Sequence, residues 1–594
     1  MDLNNELKRA RLMAAVKSAR EATSCFRRSR TELIRDYVGS WYSTRGARFE
    51  TLVNMMNQTA RVFSRFLAAN NPRVKVVTSS PDRWAFGKRF EINLNKLIVD
   101  MELDSSLRLM VLDAFFCIGI AKVSLVDSGN GIQESEDVWY DIGEPWVERI
   151  SLDDAILDVS AKELSKMRFC GDLFRCPLDK LKGDHSFNRK VVAKMRPTSK
   201  RSLEGDEDTA KKIAAGDVVD DDELEPMVSL MNLWIPDRDG KGGGQIATFV
   251  CDTDDPPLKV GRHKGTQSGP YKFLSLGLVP DNIIPSSPAM NLKGLHDLIN
   301  RNARKLDKQA RMLKENPVYE PGGEEDAERH SRAKYGQWLK SRNSKGVNVV
   351  KIGGPDGGLA AYQLSMMDTY DRVAGNLKAA AGLGAQASTL GQEEIIQGQV
   401  AAQQADLQFH VVKFAADICW ELGNLMWQDE FLEVESTVEV GRFGDAVDMS
   451  WRPGDRDGDF NQYDFRVEPY SMIYRTPQEK VQEIFGVMRE LAPMWPMFQA
   501  SGVGLDVENF LDEIANELDR PELKRLFTAQ FPSDQLGGDQ NTIRQSPITT
   551  RETVRRNIPT GGTAENRSAV LQQAFLGGGQ NTPQQTASLS RAPA

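Results

Sequence analysis

The sequence predicts a mostly helical α+β subunit, and three observations predict it. Within the run NLKGLHDLINRNARKLDKQARMLKENP, Leu295, Ile299, Leu306, Ala310 and Leu313 recur near one face at helical spacing. Leu407, Val411, Phe414, Ile418, Leu422 and Leu425 form a second stripe of the same period. Between 120 and 251 the chain instead breaks into short runs separated by acidic or Gly-rich turns, as β-strands do. At 594 residues one core is too small, so several domains are expected.

The elements follow in order. Lys8, Arg9, Arg11, Lys17, Arg20, Arg27, Arg28 and Arg30 lie on helices expected within residues 1–50. They read as a solvated face or as contacts with neighbouring subunits. Val53, Met56, Ala60, Phe63 and Leu67 form a core stripe, which Asn70-Asn71-Pro72 ends. Arg73–Val77 alternates as a strand. Two helices are expected over 84–117, ending near Gly119, with a strand at 120–126. Short strands with acidic turns fill 144–175. The acidic stretch 199–225 is poor in apolar residues and predicts a solvated insertion. Met227–Pro236 and Gln245–Cys251 flank a Gly-rich turn and predict a hairpin.

The helix at 291–314 carries Lys293, Arg301, Arg304, Lys305, Lys308, Arg311 and Lys314 against Asp297 and Asp307. Taken as 293–314, it spans about 33 Å at ~1.5 Å per residue. Arg301, Arg304, Lys308 and Arg311 share one face. They are candidates for transient phosphate contact, which reads no base sequence. The competing reading pairs them with acidic residues of an adjacent subunit. A Gly- and Pro-broken segment follows at 315–363, then a short helix at 364–381. The stretch GLGAQASTLGQEEIIQGQVAAQQADLQ, from Gly382 to Gln408, contains no Lys or Arg. Its first part, 382–394, reads as a loop, with Gly382, Gly384 and Gly391 giving backbone freedom. Leu383, Gln386, Gln392, Glu393 and Glu394 complete its candidate residues. The Gln-rich remainder reads as a channel lining or as ordinary helix surface on a helix reaching 428. Strands with Trp451, Tyr463 and Phe465 are expected over 429–475. Thr476-Pro477 caps a helix at 477–491, others follow at 506–518, 521–530 and 564–575, and 577–594 reads as disordered.

Several function classes lose support. No run approaches the ~20 apolar residues of a membrane span, and the charged N-terminus lacks a signal-peptide core. Six scattered cysteines with no CxxC pair suit a reducing cytoplasm. A net charge of −9 argues against a protein built to grip nucleic acid, though not against a conduit for it. The Gly-rich pieces at 240–244 and 353–358 lack the Lys-Ser/Thr of a phosphate-binding loop. The five histidines form no H-x-x-x-H pair. Asp153/Asp154 reads as a capping turn rather than a metal site, and His410 as a packed or interface residue. Neither metal nor cofactor is expected.

The order of these parts resembles the portal, or head-to-tail connector, proteins of tailed bacteriophages. Three upstream passages share in it: NQTARVFSRFLAANNPRVKVV, DAFFCIGIAKVSLVD and EPWVERISLDDAILDVSAKEL. The resemblance covers roughly residues 30–430. It implies a wing at 1–290, a stem helix at 291–314, a clip at 315–363, a second stem helix at 364–381, and a tunnel loop with long helix at 382–428. A wing return at 429–475 and a helical crown at 476–576 would complete the subunit. It further implies a ring of about twelve copies at one capsid vertex of the virion, assembled in the bacterial cytoplasm, passing double-stranded DNA inward and outward. Partners would be the terminase motor, major capsid and scaffolding proteins, and tail or adaptor proteins, with no membrane. The alternatives are another head-tail adaptor ring or a DNA-processing enzyme, the latter opposed by the missing motifs.

Overall fold

A computed structural model describes residues 5–472 except 41–49, 69, 79, 127–130, 136–137, 142, 185, 198–224, 238–242, 252, 254, 264, 335, 342–346, 376–389 and 441–444, together with 485–486 and 489. The chain divides into two units, Met1–Tyr474 and Arg475–Ala594, and every element named below belongs to the first. The acidic insertion at 199–225 lies, but for its last residue, outside the described residues. So do the helices and tail expected beyond 476, save helical backbone at 485–486 and 489.

The basic N-terminal segment forms α1 (Glu6–Ala22) and α2 (Ser24–Val38). Asn5 caps α1, its side chain accepting from the amides of Leu7 and Lys8. Solvation of the whole cationic face is overturned here, because Arg20, Arg27 and Arg30 are buried. Arg20 donates to the carbonyls of Asp153 and Ala155, and Arg27 to Thr23 Oγ1 and the Arg20 carbonyl. Arg30 bridges Asp113 at 2.9 Å and Asp153 at 3.1 Å. Burial alone would lower the Arg30 pKa, but the two carboxylates outweigh it and raise it. Carboxylates supplied by distant parts of the chain hold a cation that the local sequence assigns to water.

The core stripe at 53–67 forms α3 (Met55–Leu67), with Met56 and Ala60 fully buried. Then come β1 (Val74–Thr78), α4 (Trp84–Asp100), α5 (Leu103–Phe116) and β2 (Gly119–Val126). A Cβ on Gly119 would lie 2.5 Å from the Met110 carbonyl, so the sharp turn between α5 and β2 requires glycine. A hairpin of β3 (Gly131–Ser135) and β4 (Val138–Asp141) follows, which the sequence pattern does not announce. The strand β5 (Glu144–Arg149) joins β2, and β6 (Ala155–Leu157) and β7 (Cys170–Pro177) begin the larger sheet. Two short helices, α6 (Leu178–Gly183) and α7 (Arg189–Val192), precede β8 (Met227–Ile235) and β9 (Gln245–Val250). These last two pair antiparallel from Leu230↔Val250 to Ile235↔Gln245, the hairpin expected from the alternation. With β10 (Lys259–Arg262) they complete a five-stranded sheet of order β10-β9-β8-β7-β6. Leu12, Val16 and Ala19 of α1 pack across it on Leu173, Leu233 and Phe249. A smaller sheet runs β11-β2-β5, where β11 is Tyr271–Leu274.

The remaining elements are α8 (Pro288–Arg311), β12 (Lys314–Tyr319), α9 (Glu324–Arg332), β13 (Val347–Ile352), α10 (Gly357–Val373) and α11 (Leu390–Gln428). The strands β14 (Thr437–Val440), β15 (Asp445–Asp448) and β16 (Tyr463–Val467) close the unit. The apolar stripe of α11 lies in the main core: Val411, Ile418 and Leu422 are fully buried, against Phe90, Leu94 and Met110. Each such side chain contributes about 1.5–3 kcal/mol on burial. Aromatic rings cement its C-terminal end, Phe90 stacking on Trp451 at 4.8 Å. Here β16 returns to pair with β1, Val74↔Val467 to Thr78↔Tyr463. The mixed α+β composition expected from the sequence is what forms. The six cysteines are thiols outside any disulfide, four of them buried, and burial pushes Cys117 up to about 11 and Cys419 up to about 12. Among the described residues no helix is long and apolar enough to cross a membrane.

Candidate nucleic-acid interface

The basic helix α8 is set by its first turn. Ser287 is the N-cap, its hydroxyl oxygen accepting the Met290 amide while the hydroxyl donates to the Phe115 carbonyl. Pro288 takes the first helical position, where a missing amide costs nothing. The helix thus starts before the expected 291 and ends at Arg311 rather than 314; Lys314 belongs to β12. Its 24 residues span about 36 Å at ~1.5 Å per residue.

The two halves of α8 differ. The upper half buries Ala289, Leu292, His296, Ile299, Asn300 and Asn302. Asn300 exchanges hydrogen bonds with the backbone of Val53, and Gln363 of α10 donates to the Ile299 carbonyl at 3.1 Å. Tyr370 of α10 meets Thr59 hydroxyl to hydroxyl at 3.1 Å, and burial pushes its phenol up to about 12. Lys293 pairs with Asp36 at 2.7 Å; burial would depress its pKa, but the carboxylate raises it. In the lower half Ala310, Met312 and Leu313 are exposed, and Leu306 is only half-buried. The apolar face read from sequence is therefore packed within the chain above residue 302 and open below it.

The four candidate cations lie on this open half, Arg301 to Arg311 covering about 15 Å at ~1.5 Å per residue. Arg301 and Lys308 are exposed. Arg304 donates to the Glu50 carbonyl at 2.8 Å. Arg311 pairs with Asp307 of its own helix at 2.9 Å, an i, i+4 contact largely in water. Pairing inside one helix accounts for Arg311 without a neighbouring subunit.

Below α8 the expected clip is a two-stranded ribbon, β12 with β13, registered from Lys314↔Ile352 to Tyr319↔Val347, with α9 between the strands. Exposed Val318, Tyr319 and Val350 stand on it, and Trp338 on the connection is 98% exposed. The second helix, expected at 364–381, begins at Gly357 and is described to Val373. The Asp356 side chain caps it by accepting the Gly358 amide at 3.2 Å, which overrides the poor helix propensity of Gly357-Gly358.

Of the loop expected at 382–394, the last five residues are helical. Gly391, Gln392, Glu393 and Glu394 are in the first turns of α11, so they are not loop residues and Gly391 is not a hinge. Carboxylates at a helix N-terminus are favoured there by the helix dipole. Gly382, Leu383, Gly384 and Gln386 lie outside the described residues.

Two buried polar centres escaped the sequence. Glu421, fully buried on α11, accepts from Lys272 Nζ at 3.1 Å, the Thr266 amide at 3.1 Å and the Thr266 hydroxyl. His263 Nε2 lies 3.1 Å from the same carboxylate, which makes that nitrogen the protonated one. Burial pushes Glu421 upward, but these donors and the Lys272 charge prevail and lower its pKa. The other centre is Arg30 with Asp113 and Asp153. Asp153 thus stands in the turn expected of it, and its carboxylate serves Arg30 rather than a metal. The signal for Glu421 was an isolated charge within an apolar pattern, whereas Arg30, close to Arg27 and Arg28, carried none. No family model and no curated protein matches this chain.

Proposed function

We propose that this chain is the subunit of a portal-type ring: about twelve copies enclose a channel for double-stranded DNA at one vertex of a virus capsid. The observation that carries the reading is the split in α8. In the rest of the unit the chain packs α11 into the main core, with Val411, Ile418 and Leu422 fully buried. The lower stem and the ribbon leave Met312, Leu313, Val318 and Tyr319 exposed, and Arg301 and Lys308 are exposed on the same helix. A helix pair with an open apolar side and a cationic side suits neighbours on one side and a polyanion on the other. Terminase and tail or adaptor proteins would dock on the exposed clip, and capsid and scaffolding proteins on the wing. The subunit has no catalytic part in this scheme; the motor supplies the energy.

Association with DNA tests the reading. Assembled protein should bind duplexes of unrelated sequence equally, and binding should weaken steeply with salt. Replacing Arg301, Arg304, Lys308 and Arg311 together by Gln should flatten that salt dependence with assembly retained. Loss of assembly in that variant would assign the cations to subunit contacts. Nuclease or ATPase activity of the purified protein would overturn the proposal in favour of an enzyme.

A further inference from the structure

We infer that successive copies of the chain are joined by a knob, the turn bearing Phe431, entering an arginine-rimmed groove on the next copy; this rests on the ring reading above. The groove is open, about 420 Å³, between α2, α3 and α5. Tyr37, Ala60 and Leu112 line it with apolar surface, and Arg61, Arg65 and Arg108 rim it. Arg61 and Arg65 stand one helical turn apart on α3. Arg108 faces them from α5, steered by its Nε bond to the Ala68 carbonyl at 2.9 Å and by Asp104 at 3.6 Å. Arg61 is exposed and has no ion pair among the described residues.

The knob follows the C-terminus of α11. Phe431 is 59% exposed, with exposed Glu430, Glu433 and Glu435 around it. Glu430 and Glu433 have no ion pair among the described residues. The turn is held in shape. Asp429 Oδ1 accepts the Phe431 amide at 2.9 Å, Leu432 is buried in the main core, and Val434 exchanges backbone bonds with Trp451. An aromatic side chain presented on a fixed turn loses little freedom on binding.

The two features are complementary in both charge and polarity. Three guanidinium groups border an apolar floor, and the exposed Glu430 and Glu433 flank Phe431 in the chain. A phosphodiester backbone would satisfy the rim and leave the floor unused, so a protein segment fits better than DNA. A knob entering the groove of the next copy, whose own knob enters a third, is a head-to-tail contact of the type that closes rings; two copies exchanging knobs would give a dimer, which the stoichiometry of the assembly distinguishes.

Charge reversal tests it, with assembly read by mass photometry across concentration and folding by circular dichroism and thermal midpoint. Arg61→Glu with Arg65→Glu, or Glu430→Arg with Glu433→Arg, should raise the concentration for half-assembly at least about tenfold. Phe431→Ala should do the same. The four reversals combined should recover assembly, which mere misfolding cannot produce. Normal rings from each reversal pair, or no recovery in the combination, would overturn the knob and groove while leaving the ring standing. Wild-type protein that never assembles would instead overturn the ring reading itself, and this contact with it.

Discussion

Glu421 carries the sharpest residue-scale test. A carboxylate whose folded pKa lies below its unfolded value stabilises fully above the unfolded value, about 4.3 for Glu, and loses that contribution as pH falls through the folded one. Glu421→Gln leaves Lys272 buried without its counter-charge. It should lower stability at pH 7 by about 3 kcal/mol, the scale for breaking a buried pair. The loss of stability on acidification should be shallower in the variant than in wild type. Urea unfolding at both pH values reads this, and an unchanged midpoint would remove the node from the stability account. Arg30, 3% exposed, makes the same point about reading sequences. It stands among other cations on an ordinary amphipathic helix, and nothing local distinguishes it. What buries it is Asp113 and Asp153, distant in the chain.

Among elements, legibility tracked how local the cause was. The stripes of α3 and α11, the β8–β9 hairpin and the Asn-Pro stop before β1 rest on spacing within a few residues, and these formed as expected. Pairing of β1 with β16 has no such signal, because it joins the beginning of the unit to its end. Helix boundaries failed where a cap outweighed propensity: Ser287 and Asp356 each start a helix before the apolar pattern does. The long helix likewise absorbs residues 390–394, which leaves 382–389 of the expected loop to be tested by mutation. Shortening that stretch should leave assembly intact, because the apolar packing of α11 lies at 411–426. A packaging assay should then show poor DNA entry or retention with little dependence on salt, since a loop of this kind acts by shape. Normal entry and retention would return the segment to a plain connection. By contrast, Leu422→Ala should cost roughly 2–5 kcal/mol by opening a cavity in the main core. Calorimetry showing a trivial change would mean the helix is not held by that stripe.

At the scale of the whole molecule, the described unit covers its apolar surface unevenly. Most of it has a core, a five-stranded and a three-stranded sheet and buried ion pairs, whereas the lower half of α8 and the β12–β13 ribbon present apolar and cationic side chains to water. The sequence made the stem helix legible but not which half of it the chain covers, since that depends on where α3 and α10 end against it. The candidate cations were found because charge period is a local property; the groove and the Phe431 turn were missed because each is assembled from separated segments. The tail makes a separate case. Residues 577–594 have no apolar periodicity, so deleting them should change neither thermal midpoint nor assembly, and a midpoint lowered by many degrees would show that they pack.

Electron microscopy of the purified protein tests the central claim most directly. Closed rings of about twelve subunits with a channel on the axis, formed without nucleotide and broken by reversing charges at Arg61 and Arg65 or at Glu430 and Glu433, are the expected result. Monomers or isologous dimers alone, at every concentration and salt tried, would contradict it.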